Sequence, residues 1–159
     1  IIAYFKSVPP IDNETGKNEM KTKGKLLMAI GAFGEVYSAS AIKDHGKPPG
    51  SAPPIGATVE YGDYLDKIYG CRTCHNENMA GGKSPDPGSP VVPNLTPAGN
   101  LPKWGAAGFI STLRTGKTPE GKALDPKFMP YKAYSGFSDD DLTAMHLYFM
   151  SLPKAEAKK

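Results

Sequence analysis

Two cysteines and a histidine stand close together in the sequence, as Cys71, Cys74 and His75. No other cysteine is present, and one pair is too few for a disulfide scaffold in a chain of 159 residues. The pattern Cys-x-x-Cys-His is the attachment signature of c-type haem. Two thiols separated by a short turn add to the two vinyl groups along one porphyrin edge, and the next residue then lies under the ring, where an imidazole nitrogen binds iron. The motif therefore predicts one covalent haem c.

Two other interpretations of the cysteines stay open. A structural zinc site needs four ligands, so either His45 or His146 would have to join the motif. A histidine directly after the second cysteine is awkward for tetrahedral binding, however. A thioredoxin-like pair of redox thiols is normally found in a βαβ unit, and the sequence shows no parallel-sheet pattern. Haem attachment is favoured over both.

A haem with one histidine needs a sixth ligand if it is to transfer electrons without binding gases or peroxide, and a methionine there raises the reduction potential. Met129 is the favoured candidate, because it lies in a loop and is followed by Pro130, which stiffens the approach. His146 is the alternative, although its place on a regular helix is more typical of a surface or edge histidine. Met79 is assigned to the proximal side and Met145 to helix packing, while Met20 and Met28 lie outside the unit. Met150 lies near the chain end, on the side of the last helix opposite Met145.

The elements that must position these residues are predicted to be helices. One helix is expected over 61–70, with Tyr64 or Leu65 and Ile68 inward, and a second over 104–115, ended by Gly116. The last begins at Ser138, where Asp141 completes a capping box. Its buried stripe is Leu142, Met145, Phe149 and Leu152. No segment shows sustained alternation, so the fold is predicted to be all-α, with three to four main helices around the haem.

The ends of the chain resemble each other. Residues 4–9 read Tyr-Phe-Lys-Ser-Val-Pro and residues 148–153 read Tyr-Phe-Met-Ser-Leu-Pro. A chance match of six residues is the alternative to a repeat, and the repeat predicts that residues 1–9 are the tail of a preceding domain of the same type. We therefore divide the chain into four parts. These are that tail (1–9), a linker with one possible helix (10–56), a monohaem domain (57–153) and a polar tail (154–159).

Composition excludes several classes of protein. The formal charge is +3, from 19 basic and 16 acidic residues, which is too mild for a dedicated nucleic-acid binder. Glycine and proline are abundant, at 18 and 16 residues, which indicates long loops without indicating disorder. No apolar run approaches the length of a membrane helix, so no transmembrane segment is expected in this chain.

Over roughly 59–153 the chain resembles class I c-type cytochromes, and most closely the cytochrome subunits of membrane-bound quinoprotein alcohol and gluconate dehydrogenases. The resemblance is carried by Tyr61-Gly-Asp-Tyr-Leu65, Cys71-Arg-Thr-Cys-His75, Asn94-Leu-Thr-Pro97, Trp104, Leu113-Arg-Thr-Gly116, Met129-Pro-Tyr131, Ser138-Asp-Asp-Asp-Leu142 and Tyr148-Phe-Met-Ser-Leu-Pro153. It implies His75 as the proximal ligand and Met129 as the distal ligand. It also implies that the first and last helices of the unit cross closely, with Gly62 near Tyr148. Those subunits carry three haems and a membrane anchor, whereas this chain has one attachment motif.

The expected function is electron transfer between redox partners in a respiratory or photosynthetic chain, and the protein is not expected to be an enzyme itself. An electron-accepting subunit of a dehydrogenase complex is the alternative, and a haem enzyme with an open sixth site is disfavoured. Haem attachment to paired thiols implies the periplasmic or outer face of the membrane. A preceding haem domain or a membrane complex is a possible partner.

Residues around the haem are assigned from their type and place. An apolar sleeve is expected to include Phe109, Leu113, Leu124, Phe128 and Phe137, with Pro130 beside the distal ligand. Trp104, Arg114, Tyr131 and Tyr134 are candidates either for binding the haem propionates or for ordinary packing. A proline carbonyl after His75, with Pro85 as the candidate, is expected to accept a hydrogen bond from the imidazole.

Overall fold

The computed structural model describes residues 2–13, 16–17, 19–31, 46, 50–83 and 88–157. The chain divides into two compact units, residues 1–49 and 50–159. The described part contains helices and two isolated β-bridges and no strand, so the prediction of an all-α fold is confirmed. None of the helices in these ranges has the length and apolarity needed to cross a membrane.

The described residues of the first unit contain two short helices, α1 (Ile2–Ser7) and α2 (Thr22–Ala29). Neither helix buries a residue. Helix α2 lies within residues 10–56, the stretch predicted to be a linker.

The second unit begins with helix α3 (Val59–Tyr69), whose first turn is capped by the Thr58 side chain. It ends at Gly70, which adopts the left-handed conformation (φ 66°) that glycine accepts most readily. Leu65 faces inward as predicted, but Ile68 is 52% exposed, so that part of the prediction is wrong. Asp66 takes the buried position instead.

Helix α4 (Arg72–His75) is a single turn that carries the end of the cysteine motif. Helix α5 (Leu101–Thr115) begins before the predicted start at Trp104. Its early turns are separated from the rest by a kink at Gly105, which has φ 61° and ψ −179°. The helix ends at Gly116, as predicted.

Helices α6 (Tyr131–Tyr134) and α7 (Asp139–Ser151) complete the unit. The predicted capping box is present: the Asp141 backbone N–H donates to Ser138 Oγ, and the Ser138 N–H donates to the Asp141 carboxylate. Three acidic residues in the first turn also suit the positive end of the helix dipole. The predicted stripe is confirmed, since Leu142, Met145 and Phe149 are buried and Leu152 packs against them.

Helices α3 and α7 cross in direct backbone contact. A Cβ placed on Gly62 would overlap the Ala144 carbonyl and lie 2.7 Å from the Tyr148 Cβ, so the expected approach of Gly62 to Tyr148 is confirmed. At the other end of the crossing, the Tyr61 hydroxyl donates to Asp141 Oδ1 at 2.9 Å. The core forms around this crossing from α3, α5, α7 and the loop after α4 (Tyr61, Leu65, Met79, Leu101, Phe109, Leu113, Leu142, Ala144, Met145, Tyr148 and Phe149).

Replacing Gly62 by alanine should lower the free energy of unfolding by about 1–3 kcal/mol, because one added methyl group must push two packed helices apart. Chemical denaturation followed by circular dichroism measures the change. Gly136→Ala is the matched control, since a Cβ there meets nothing within 4 Å. Equal stabilities of the two variants would contradict the close crossing.

Candidate haem-attachment site

Cys71 and Cys74 lie on one tight turn at the end of α3. The N–H groups of Cys74 and His75 both donate to the Cys71 carbonyl, at 3.3 and 3.0 Å, and this closes the turn. Both thiols are free, Cys71 half-buried and Cys74 exposed. Burial, followed by the charge of Asp66, raises the pKa of the Cys71 thiol to about 12. Two thiols are thus presented from one turn, one toward the core and one toward solvent.

His75 is buried, and a backbone carbonyl holds its ring. Its Nδ1 lies 2.9 Å from the Pro93 carbonyl oxygen, so the ring donates a hydrogen bond there and Nε2 is the nitrogen without a proton in the neutral ring. The expected proline carbonyl is therefore present, but it belongs to Pro93; Pro85 lies outside the described residues. Burial lowers the pKa of the imidazole, against the raising effects of the Pro93 carbonyl and Asp66. The ring is held neutral, which is the form that binds a metal.

The loop after His75 is folded so that Pro93 reaches the imidazole. The N–H of Gly81 donates to the His75 carbonyl, and Gly82 and Val92 exchange two backbone hydrogen bonds. Gly81 has φ 64°, and any Cβ there would overlap the Val92 carbonyl. This position therefore requires glycine. The described part of this loop is thus held by hydrogen bonds of its own backbone.

The same loop is also tied to the end of the chain. The Asn94 side-chain amide donates to the Ala155 carbonyl at 2.7 Å, and Asn94 Oδ1 accepts from both the N–H and the hydroxyl of Thr96. The stretch predicted as a polar tail thus contributes a backbone contact to the loop that carries Pro93. A pocket of about 280 Å³ lies beside this loop, lined by Pro93, Asn94, Leu95, Gly99, Asn100, Leu101 and Trp104.

Met129 is half-buried and packs against the core from a loop, between a backbone bond to Asp125 and the first turn of α6. Pro130 follows it and is exposed. Met145, which was expected to pack, is buried in the core. Met79, in the loop after His75, is also buried there, and Met150 packs against the core. Among the described methionines of the second unit, Met129 is the one that lies on a loop and also has a partly exposed side chain.

The expectation that His146 is a surface or edge residue is wrong. It is 9% exposed, its ring lies 5.9 Å from that of Phe109, and its Nε2 is buried without a hydrogen-bond partner among the described residues. Burial lowers the pKa of His146, although the Leu101 carbonyl opposes this. A neutral imidazole can occupy such a position, whereas a charged one could not.

The predicted haem contacts fall into two groups. Of the predicted apolar sleeve, Phe109 and Leu113 are buried in the core, and Leu124, Phe128 and Phe137 are half-buried. Tyr131 and Tyr134, which are candidates for the propionates or for packing, are half-buried against the core. The Trp104 N–H, in contrast, donates to Glu120 at 2.6 Å, and Arg114 binds the Ser135 carbonyl and Asp139. Both of these donors have protein partners, and their predicted propionate contacts stay predictions.

The donor set fits a c-type haem. Two free thiols on one turn are adjacent to an imidazole whose Nδ1 is already engaged, and a loop methionine packs against the same core as Cys71. Within the described residues, no group of three or more His, Cys, Asp or Glu is placed to hold a metal ion. His45, one of the two histidines considered for zinc, lies outside those residues.

Sequence reasoning missed one part of this site. Asp66, Arg72 and Tyr148 form a partly buried hydrogen-bonded group around the attachment turn. The signal in the sequence was an arginine between the two cysteines, with an aspartate one and a half helical turns before it.

Comparison with known proteins identifies relatives among cytochrome subunits. The chain is 30% identical over 142 residues to the cytochrome c subunit of a quinone alcohol dehydrogenase from Gluconobacter oxydans, covering 84% of this chain and 27% of that protein. It is 31% identical over 115 residues to the gluconate 2-dehydrogenase cytochrome c subunit of Pantoea cypripedii, covering 65% of this chain and 25% of that subunit. This chain resembles cytochrome c subunits.

The resemblance extends beyond these two proteins and beyond the second unit. A nicotinate dehydrogenase subunit of Pseudomonas putida is 30% identical over 112 residues, which is 65% of this chain and 9% of that protein. The chain thus spans about a quarter or less of the relatives it matches. The Gluconobacter match covers more of the chain than the second unit alone occupies, so the similarity includes part of the first unit. No protein-family model and no solved structure matches the chain.

Proposed function

We propose that residues 57–153 form an electron-transfer domain with one haem c, attached through Cys71 and Cys74 and ligated by His75 and Met129. The observation that carries the proposal is the hydrogen bond from His75 Nδ1 to the Pro93 carbonyl, directly after two free thiols on one turn. Oriented imidazoles of this kind are typical of metal ligands, because the second hydrogen bond fixes both tautomer and ring plane. The resemblance to cytochrome c subunits supports the same cofactor.

The haem, when bound, supplies one-electron exchange between its ferric and ferrous states. Cys71 and Cys74 would tether it covalently, so that it is not lost. The Pro93 carbonyl fixes the His75 ring so that Nε2 would bind the iron, and Met129 would hold the remaining ligand site against gases and peroxide. The apolar surroundings keep water away, which favours the less charged state.

Electrons are proposed to leave at the Cys74 edge, which is the exposed side of the attachment turn. Contact with redox partner proteins there should be brief, as is usual for small redox interfaces. The chain is not itself proposed to be an enzyme. The names of its relatives favour the second candidate function, an electron-accepting cytochrome subunit of a dehydrogenase complex. The periplasmic side of a membrane is proposed as its location, because haem is attached to paired thiols there.

Met129→Ala should abolish the weak red charge-transfer absorption that methionine ligation gives to ferric haem, because no thioether would remain on the distal side. Absorption spectra of the purified ferric proteins measure this. Met150→Leu is the matched control, since Met150 also packs against the core but lies on α7, and it should keep the band.

The His/Met proposal fails if the band persists in Met129→Ala. It also fails if the ferrous wild-type protein binds carbon monoxide readily, since that would indicate an open sixth site. A wild-type ferric protein without the band, whose ferrous form does not bind carbon monoxide, would instead favour ligation by His75 and His146.

We also propose that residues 1–9 are the end of a preceding cytochrome domain, with residues 10–56 as the linker. The two copies of the repeat share a hydrogen bond: Ser7 Oγ donates to the Tyr4 carbonyl and Ser151 Oγ to the Tyr148 carbonyl, both at 2.7 Å. Each serine is also the last residue of its helix. Tyr148 is buried against α3, however, whereas Tyr4 and Phe5 are each 69% exposed. Such exposed aromatic residues suit a helix end whose packing partner lies upstream.

The coding sequence upstream of Ile1 should contain a further Cys-x-x-Cys-His motif. The natural protein should then carry more than one haem per polypeptide in a pyridine haemochrome assay. An upstream sequence without the motif would overturn the tandem arrangement and leave the proposal for residues 57–153 intact.

A further inference from the structure

Asp66 is a fully buried carboxylate beside the attachment turn. It lies on the inner face of α3 with 0% exposure, and its Oδ1 has no hydrogen-bond partner among the described residues. Burying an ionised carboxylate is costly unless it is well paired, and hydrophobic residues usually occupy such positions more favourably. Helix packing alone does not explain why a charge is kept there.

The ion-pair partner of Asp66 lies within the Cys-x-x-Cys-His motif. Arg72, which lies between the two cysteines, donates from Nε to Asp66 Oδ2 at 2.6 Å. Its Nη2 donates to the Tyr148 hydroxyl on α7 and lies 3.6 Å from Asp63 Oδ1. The hydrogen bond to Asp66 raises the pKa of Arg72, so the guanidinium stays charged. Burial raises the pKa of Tyr148 to about 12, so its hydroxyl stays protonated. One positive and one negative charge are thus fixed at the turn.

Asp66 is also bonded to the attachment turn through its backbone. Its carbonyl accepts hydrogen bonds from the N–H groups of Gly70 and Cys71, at 3.0 and 3.4 Å. Because the Asp66 side chain is fully buried, solvent screens its charge little, and a group attached at Cys71 would be exposed to that charge.

We propose that Asp66 and Arg72 set the reduction potential of the haem held at Cys71, Cys74 and His75, an inference that rests on the proposed function. The buried negative charge stabilises the ferric state, which carries one more positive charge than the ferrous state. Arg72 offsets part of this effect and holds the carboxylate in place. The two residues therefore act in opposite directions on the same equilibrium.

Midpoint potentials of the haem-loaded full chain test the inference, measured by spectroelectrochemistry at about pH 8, where free carboxylates are ionised. Asp66→Asn should raise the potential and shift the ferrous/ferric ratio several-fold toward ferrous. Arg72→Gln should lower the potential, because Asp66 is left unbalanced. The double variant should return near the wild-type value.

Two control variants distinguish an effect of charge on the reduction potential from an effect of altered structure. Glu77→Gln removes a negative charge 3.7 Å from the same guanidinium, but Glu77 is 90% exposed, so solvent should screen the change and the potential should stay near wild type. Arg72→Lys keeps the charge and loses the planar fork, so it should stay closer to wild type than Arg72→Gln. If Asp66→Asn does not fold, the two Arg72 variants still decide the question.

Shifts of the same sign in Asp66→Asn and Arg72→Gln would overturn the inference, as would equal shifts in Arg72→Lys and Arg72→Gln. Potentials that do not move in a protein that keeps its covalent haem and red absorption band would overturn this inference alone. A protein that binds no haem would overturn the proposed function and this inference together.

Discussion

The contact between Gly62 and the Ala144 backbone constrains everything that follows it in the chain. Helix α3 ends at Gly70 and the attachment turn begins at the next residue, so the place where α3 crosses α7 determines where the two thiols and His75 lie. Hydrogen bonds fix the crossing at both ends, through Tyr61 and Asp141 on one side and through Arg72 and Tyr148 on the other. A glycine with no side chain thereby positions a site that lies about two helical turns away.

The site itself depends on backbone groups supplied by long-range folding. The Pro93 carbonyl holds His75, and the Ala155 carbonyl holds the loop around Pro93 through Asn94. Neither contact involves a charged side chain. The charges belong to Asp66 and Arg72, which form an ion pair next to Cys71 in the turn. The imidazole is therefore oriented by neutral groups, while fixed charges nearby act on its electrostatics.

Much of this could be predicted from sequence because the signals are local. The cysteine motif, the Ser138–Asp141 capping box and the glycine stop at Gly116 are each signals that span only a few residues. The structure contains both predicted helix boundaries, the start of α7 and the end of α5. The start of α5 was missed because Gly105 breaks the helical pattern, whereas the chain passes through a kink there and is helical on both sides. Asp66 was missed because a helical pattern assigns aspartate to the solvent face, and only its pairing with Arg72 allows burial. Pro93 could not be chosen among many loop prolines without the folded backbone.

The most direct test of the account is the mass of the purified chain under denaturing conditions, combined with alkylation of its thiols. The account predicts the mass of the polypeptide plus one haem, with neither Cys71 nor Cys74 available to the reagent. A colourless protein with the mass of the polypeptide alone and two reactive thiols would contradict it.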